Sequence, residues 1–123
     1  MKIDKVTEAL IHGIPTGGAT IDQGGRPIVQ GIAVGIQPDT CYTCLYKSNR
    51  YAHEEITGWL KRIKVEPGAC IGIWIDSNGN IVLDIVRVLS TRRFKEAVKL
   101  ALANKQEAIQ LLDPCVTLTL TEC

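Results

Sequence analysis

The stretch CIGIWIDSNGNIVLDIVRVL, residues 70–89, decides the fold. Asn78-Gly79 sits between two runs rich in Ile and Val. Asn-Gly is the favoured centre of a type I′ turn, where both central residues need positive φ. β-branched side chains suit the pleated surface of a strand. The stretch therefore reads as a β-hairpin. A two-residue turn pairs Trp74 with Leu83 and Ile73 with Asp84. One side of the ribbon then carries Ile71, Ile73, Ile75, Val82, Val86 and Val88, and the other Trp74, Leu83, Ile85 and Leu89. Both sides are apolar, so both need cover.

Helical patterns flank the ribbon. Upstream, Ala52, Ile56, Trp59, Leu60 and Ile63 share one helical face, after a cap at Ser48 or Asn49 and before the stop at Val65-Glu66-Pro67-Gly68. Downstream, a helix over about 91–105 buries Phe94, Ala97, Val98, Ala101 and Leu102, leaves Leu100 and Ala103 off that stripe, and ends on a left-handed Asn104. Residues 3–12 give a short helix with Val6 and Leu10 inward and Gly13 as its stop. Strands are expected at 19–22, 27–37, 41–46, 108–112 and 116–120. This order predicts a single α+β domain over residues 1–123: an antiparallel sheet containing the Asn-Gly hairpin, with two or three helices mainly on one face. The second apolar face then calls for a further helix or another subunit, and a homo-oligomer is expected.

Bulk properties narrow the function. With 14 Lys+Arg against 13 Asp+Glu, the net charge is +1, so no global field attracts long nucleic acid or a membrane surface. The first ten residues lack the apolar core of a signal peptide, and no apolar run is long enough for a bilayer. Five cysteines without an export signal read as free thiols in a reducing cytoplasm.

Most candidate motifs fail on their own chemistry. Asp76–Asn80 resembles the start of a calcium loop, but Ile81 stands at the glycine position and Arg87 at the closing glutamate. GIPTGGAT lacks the Lys-Ser/Thr of a nucleotide-binding loop, although Gly17-Gly18 still allows backbone N–H groups to approach a phosphate. Cys41-Tyr42-Thr43-Cys44 falls in an expected strand and has no second ligand pair, so no metal is expected. His12 and His53 stand alone, and Asp84 is expected to pair with a nearby arginine, Arg87 if a bulge aligns the two. No nucleophile, base and orienting group come together, and neither catalysis nor a cofactor is expected.

The arginines remain. Ser90-Thr91 can cap a helix start, yet Arg92, Arg93 and Lys95 follow at once. Cations there oppose the helix dipole. A helix start is also a ready anion site, and guanidinium forks suit phosphate. Arg92 and Arg93 are therefore candidate phosphate ligands, with Gly17, Gly18 and Arg26 closing over the ligand and Trp74 as a stacking candidate. Arg26 and Arg50, each beside turn residues, are candidates to supply further charge from a neighbouring subunit, and Tyr42, Tyr46 and Tyr51 are further rings for a base. Trp59, Phe94 and Trp74 otherwise suit the core.

The segment GIWIDSNGNIVLDIVRVLSTRRFKEAVKLALANKQEAI, residues 72–109, resembles a small protein type of phage and prophage genomes. Its marks are a Trp-bearing strand, an Asn-Gly turn, the LDIVRV strand, a helix and an Asn-x-Gln-x-Ala ending. The whole layout also resembles the anti-Thoeris Tad proteins, phage sponges that sequester cyclic ADP-ribose isomers and, in some members, cyclic oligonucleotides. That resemblance implies a binder rather than an enzyme, assembled from dimers into a hexamer in the cytoplasm of an infected bacterial host. It carries over no ligand residue position by position. The alternatives are a small nucleotide-acting enzyme or toxin-like domain, using Asp84, His53 or Glu54, and a structural interaction module.

Overall fold

The computed structural model describes residues 1–37, 42–45, 49–76, 78–106, 108–113 and 115–120, with side chains described outside 42–45, 49–51 and 115–116. Its elements are α1 (Ile3–Gly13), a 3-10 turn (Ile14–Thr16), β1 (Gly18–Ile21), β2 (Ile32–Gly35), β3 (Tyr42–Leu45) and α2 (Asn49–Arg62). There follow β4 (Cys70–Ile75), β5 (Asn80–Leu89), a second 3-10 turn (Thr91–Arg93), α3 (Phe94–Ala103), β6 (Ala108–Leu112) and β7 (Cys115–Thr119). The fold is α+β. The strand order is β1-β4-β5-β2-β6-β7, β3 also pairs with β5, and every pair is antiparallel. The ten-residue β5 organises the sheet. One of its sides pairs with β4, while the other pairs first with β3 and then, past Ile85, with β2.

The register of β4 on β5 corrects the hairpin reading. Trp74 pairs with Val82, Ile73 with Leu83 and Gly72 with Asp84. Asp76 N–H donates to the Asn80 carbonyl at 2.9 Å, so the two-residue Asn-Gly turn is not what joins the strands. The Asp76 carboxylate accepts from the N–H groups of Asn78 and Asn80, both at 2.9 Å, and Gly79 takes φ +80°. A one-residue shift moves one strand's side chains to the opposite faces relative to its partner. Ile71, Ile73 and Ile75 therefore share a face with Ile81, Leu83 and Ile85.

That face carries the helices. Val6 and Leu10 of α1 and Ala52, Ile56, Trp59 and Leu60 of α2 pack on the isoleucine rows. Thr57 Oγ1 donates to Thr7 Oγ1 at 3.1 Å and satisfies two hydroxyls between the helices. A Cβ on Gly13 would lie 2.6 Å from Ala19 Cβ, so glycine lets the end of α1 meet β1. Farther along β5, α3 covers Ile32, Val34, Leu89 and Ile109.

α3 departs from its expected stripe. It buries Ala97 and Ala101 fully, while Phe94 is 43% exposed and Leu102 56% exposed. The first turn is 3-10, and that tighter winding rotates Phe94 off the core side. Leu100, expected off the stripe, packs on the cluster instead. Lys105, not Asn104, takes the left-handed conformation at φ 57°. Asn104 instead donates its side-chain amide to the Leu100 carbonyl at 2.9 Å.

The opposite face carries no helix among the described residues. Ile28 packs there with Ala33, Cys70, Val86, Val88 and Leu112. The expected strand over 27–37 is shorter for this reason. Pro27 bridges to Ile21 at one sheet edge, Gly31 turns with φ +111° close under the Leu89 carbonyl, and regular pairing starts at Ile32.

Candidate functional site

The arginine-bearing helix start lies just past the end of β5. The Ser90 hydroxyl accepts from Arg92 N–H at 3.3 Å, which fulfils its expected capping role. A cleft of about 480 Å³ opens beside it, lined by Gln30, Gly31, Val88, Leu89, Ser90, Thr91 and Asp113. Small-ligand sites commonly have such volumes. The lining is mixed in polarity: two hydroxyls and an amide from one side, and one carboxylate from the β6–β7 connection.

The two arginines differ. Arg93 donates through Nε at 2.9 Å to a Glu96 carboxylate oxygen, and its Nη2 contacts the same oxygen. Glu96 in turn is held below the usual carboxylate range by the Arg93 hydrogen bond and charge. Arg93 is thus engaged with its own helix. Arg92 is exposed, and among the described residues it has no ion-pair partner. The sequence pattern did not separate them. The signal that does is Glu96, three residues past Arg93, where an intrahelical pair is favoured.

The other expected ligand residues lie elsewhere in the subunit. Gly18 pairs with Trp74 at the opposite end of β4 and β5. Trp74 is level with Val82, seven residues before Leu89. That is roughly 23 Å at the usual strand rise. Arg26 closes the turn after β1, where Asp22 Oδ1 accepts its N–H at 2.8 Å. Gly17, Gly18, Arg26 and Trp74 therefore do not lie beside Arg92 and Arg93 within one subunit. Trp74 is 50% exposed rather than core. The side chains of Arg50, Tyr42, Tyr51, Cys44 and Cys115, and all of Cys41, Tyr46 and Cys123, lie outside the described part. Cys70 is a free, buried thiol, pushed above its ordinary pKa by burial.

Asp84 also departs from expectation. Among the described residues it pairs with no arginine. Arg87 points to the helix-bearing face and bonds Glu66 at 2.7 Å. Asp84 lies over Gly72, where a Cβ would approach Asp84 Oδ1 to 2.6 Å. Burial alone pushes the Asp84 carboxyl up from 3.8 to about 6. Among the described residues no group of three or more His, Cys, Asp or Glu side chains is placed to hold a metal ion, and no helix is long and apolar enough to cross a membrane.

No protein-family model, curated protein or solved structure matches this chain.

Proposed function

We propose that this protein is a binder that sequesters a small cyclic nucleotide without turning it over, in the cytoplasm of an infected bacterium. The observation that supports it best is the cleft at the end of β5, with Ser90 and Thr91 in its wall and, just beyond, Arg92, which has no ion-pair partner among the described residues. A phosphate near Arg92 gains a charge-assisted fork and the positive end of α3. Asp113 on the cleft wall disfavours a bare inorganic anion but accepts hydrogen bonds from ribose hydroxyls. Together these groups favour a ligand that combines phosphate and sugar. Cyclic ADP-ribose isomers and small cyclic oligonucleotides have that chemistry, which agrees with the Tad resemblance.

On this reading Arg92 is the principal phosphate contact and Arg93 is subsidiary. Gly17-Gly18, Arg26 and Trp74 reach the ligand only from a neighbouring copy. The protein is then a homo-oligomer, built from dimers up to a hexamer, and exposed Phe94 and Leu102 supply apolar surface for the contact.

The test is to mix the protein with a bacterial nucleotide pool, wash it, denature it with heat and identify the released small molecules by mass. The expected result is an unmodified cyclic nucleotide, with its yield cut at least about ten-fold by Arg92→Ala, the loss of one hydrogen bond to a charged group. An altered nucleotide would favour the enzyme reading instead. No retained nucleotide would sink the proposal.

A further inference from the structure

The two ends of the sheet are treated differently. The path β1-β4-β5-β2-β6-β7 leaves β1 outermost at one end and β7 at the other. The chain itself covers β1. Pro27 bridges to Ile21, Ile28 N–H donates to the Thr20 carbonyl at 2.7 Å, and Asp22 N–H donates to the Arg26 carbonyl at 2.9 Å. β7 pairs with β6 without a bulge, from Leu112 with Cys115 to Ala108 with Thr119. No described strand pairs with its outer edge, and Thr117 and Thr119 are exposed. An open edge is a row of unpaired N–H and C=O groups, which folds usually blunt with a charge, a proline or a bulge. Residues 115–120, CVTLTL, contain no charge and no proline.

The sequence of this edge also says which strand fits it. Laid antiparallel on a copy of itself about Leu118, it sets Leu118 opposite the partner's Leu118, Thr117 opposite the partner's Thr119 and Val116 opposite the partner's Leu120. Apolar positions meet apolar positions and threonines meet threonines on both sides of the axis. Such directly opposite pairs are the stabilising unit of an antiparallel sheet. A shift of one residue sets Leu118 and Leu120 against threonines and puts the leucines of the two copies on opposite faces. The leucines also lack full cover within one subunit. Leu118 and Leu120 pack on the cluster of Ile32, Val34, Ala97, Ala101 and Ile109, yet are only partly buried. A second copy extends the sheet and this apolar face together. Two-fold pairing closes the edge in both chains, so growth stops at two along this contact.

We propose that β7 pairs antiparallel with β7 of a second copy, about a two-fold axis at Leu118, and joins the two sheets into one. This specifies one contact of the homo-oligomer in the proposed function; it rests on that oligomer and not on its ligand.

The experiment is sedimentation equilibrium of the full chain in reducing buffer up to about 500 µM, with two double variants at exposed positions. The parent is expected to form a dimer or a multiple of it. Thr117→Lys/Thr119→Lys sets like charges directly opposite each other across the axis, and so does Thr117→Glu/Thr119→Glu. Each variant should keep its circular dichroism, weaken association at least about ten-fold and at least halve the assembly mass. Mixed in equal amounts at low salt, the two variants should associate again, as mixed pairs. A parent that stays monomeric, variants that associate like the parent, or a mixture that stays apart would each overturn the pairing. Hydrogen exchange of the parent gives a test without variants: amides within 115–120 should slow several-fold as concentration rises, and unchanged exchange overturns the proposal. A monomer that retains a nucleotide overturns this pairing and leaves the binder standing. A dimer that the double variants dissociate, and that retains no nucleotide, supports the pairing and sinks the binder.

Discussion

The two faces of the sheet follow opposite rules. On the helix-bearing face, Ile71, Ile73, Ile81, Leu83 and Ile85 are closed in by α1 and α2, and the Thr7–Thr57 pair satisfies itself. On the other face, Trp74 is left half in solvent and Asp84 is half-buried with no partner among the described residues. The first face holds the fold together. The second carries features that a fold optimised for stability alone would lack. The two differ by alternation along the same strands: Leu83 and Asp84 are neighbours in β5 and point to opposite sides.

The strongest way to break that contrast is to truncate each face in turn. Leu83→Ala removes a fully buried side chain from the packed side. It should cost about 3–5 kcal/mol of unfolding free energy, the transfer term plus an uncollapsed cavity. Trp74→Ala removes a larger side chain but one half in water, and should cost about 1–2 kcal/mol. Urea unfolding of both variants checks this. Equal losses would mean that the helix-free face is as important to the fold as the covered one.

A smaller effect, of opposite sign, is expected at Asp84. Its carboxyl titrates near 6 in the folded chain against 3.8 in the ordinary state. Below pH 3.8 both states hold the proton and the group costs nothing through ionisation. As pH rises from there the unfolded chain ionises first, so stability falls until the folded group also ionises near pH 6. Above that the penalty is constant, at most about 2–3 kcal/mol and less with solvent contact. Asp84→Asn should therefore raise stability by about 1–2 kcal/mol at pH 7, after its own unpaired amide is counted, and change it little at pH 4. Melts of the parent and the variant at both pH values test the sign. A variant less stable at pH 7 would show that Asp84 has a stabilising partner.

Much of the fold was legible because periodicity carries it. The α2 stripe of Ala52, Ile56, Trp59 and Leu60 is buried as its spacing requires. The β5 run is a strand over its whole length. What failed is a matter of single residues. Asn78-Gly79 suggests a two-residue turn, yet the preceding Asp76 caps the chain reversal with its carboxylate and moves Gly79 to the left-handed closing position. That one-residue difference placed Asp84 opposite Ile73 instead of Gly72, and hid the row it forms with Thr20. Ser90 as a cap was legible, since capping is local. The scattering of Gly18, Trp74 and Arg26 away from Arg92 was not, because strand order is a property of the whole sheet.

The smallest expected effect concerns the arginines, and it sharpens a second contrast, between Arg92 and Arg93. Both begin the same helix, where cations oppose the dipole. Arg93 is repaid locally by Glu96, while Arg92 has no such partner among the described residues. Arg92→Ala should leave the melting temperature unchanged or slightly raised. Arg93→Ala should lower it slightly, because Glu96 loses its bond. Salt separates the causes: an exposed pair is screened, so 0.5 M salt should erase most of the Arg93 difference. Glu96→Gln should copy the Arg93→Ala loss, and the double variant should add nothing further. If Arg92→Ala is instead the destabilising change, Arg92 has a structural partner, and its assignment as the free phosphate contact fails.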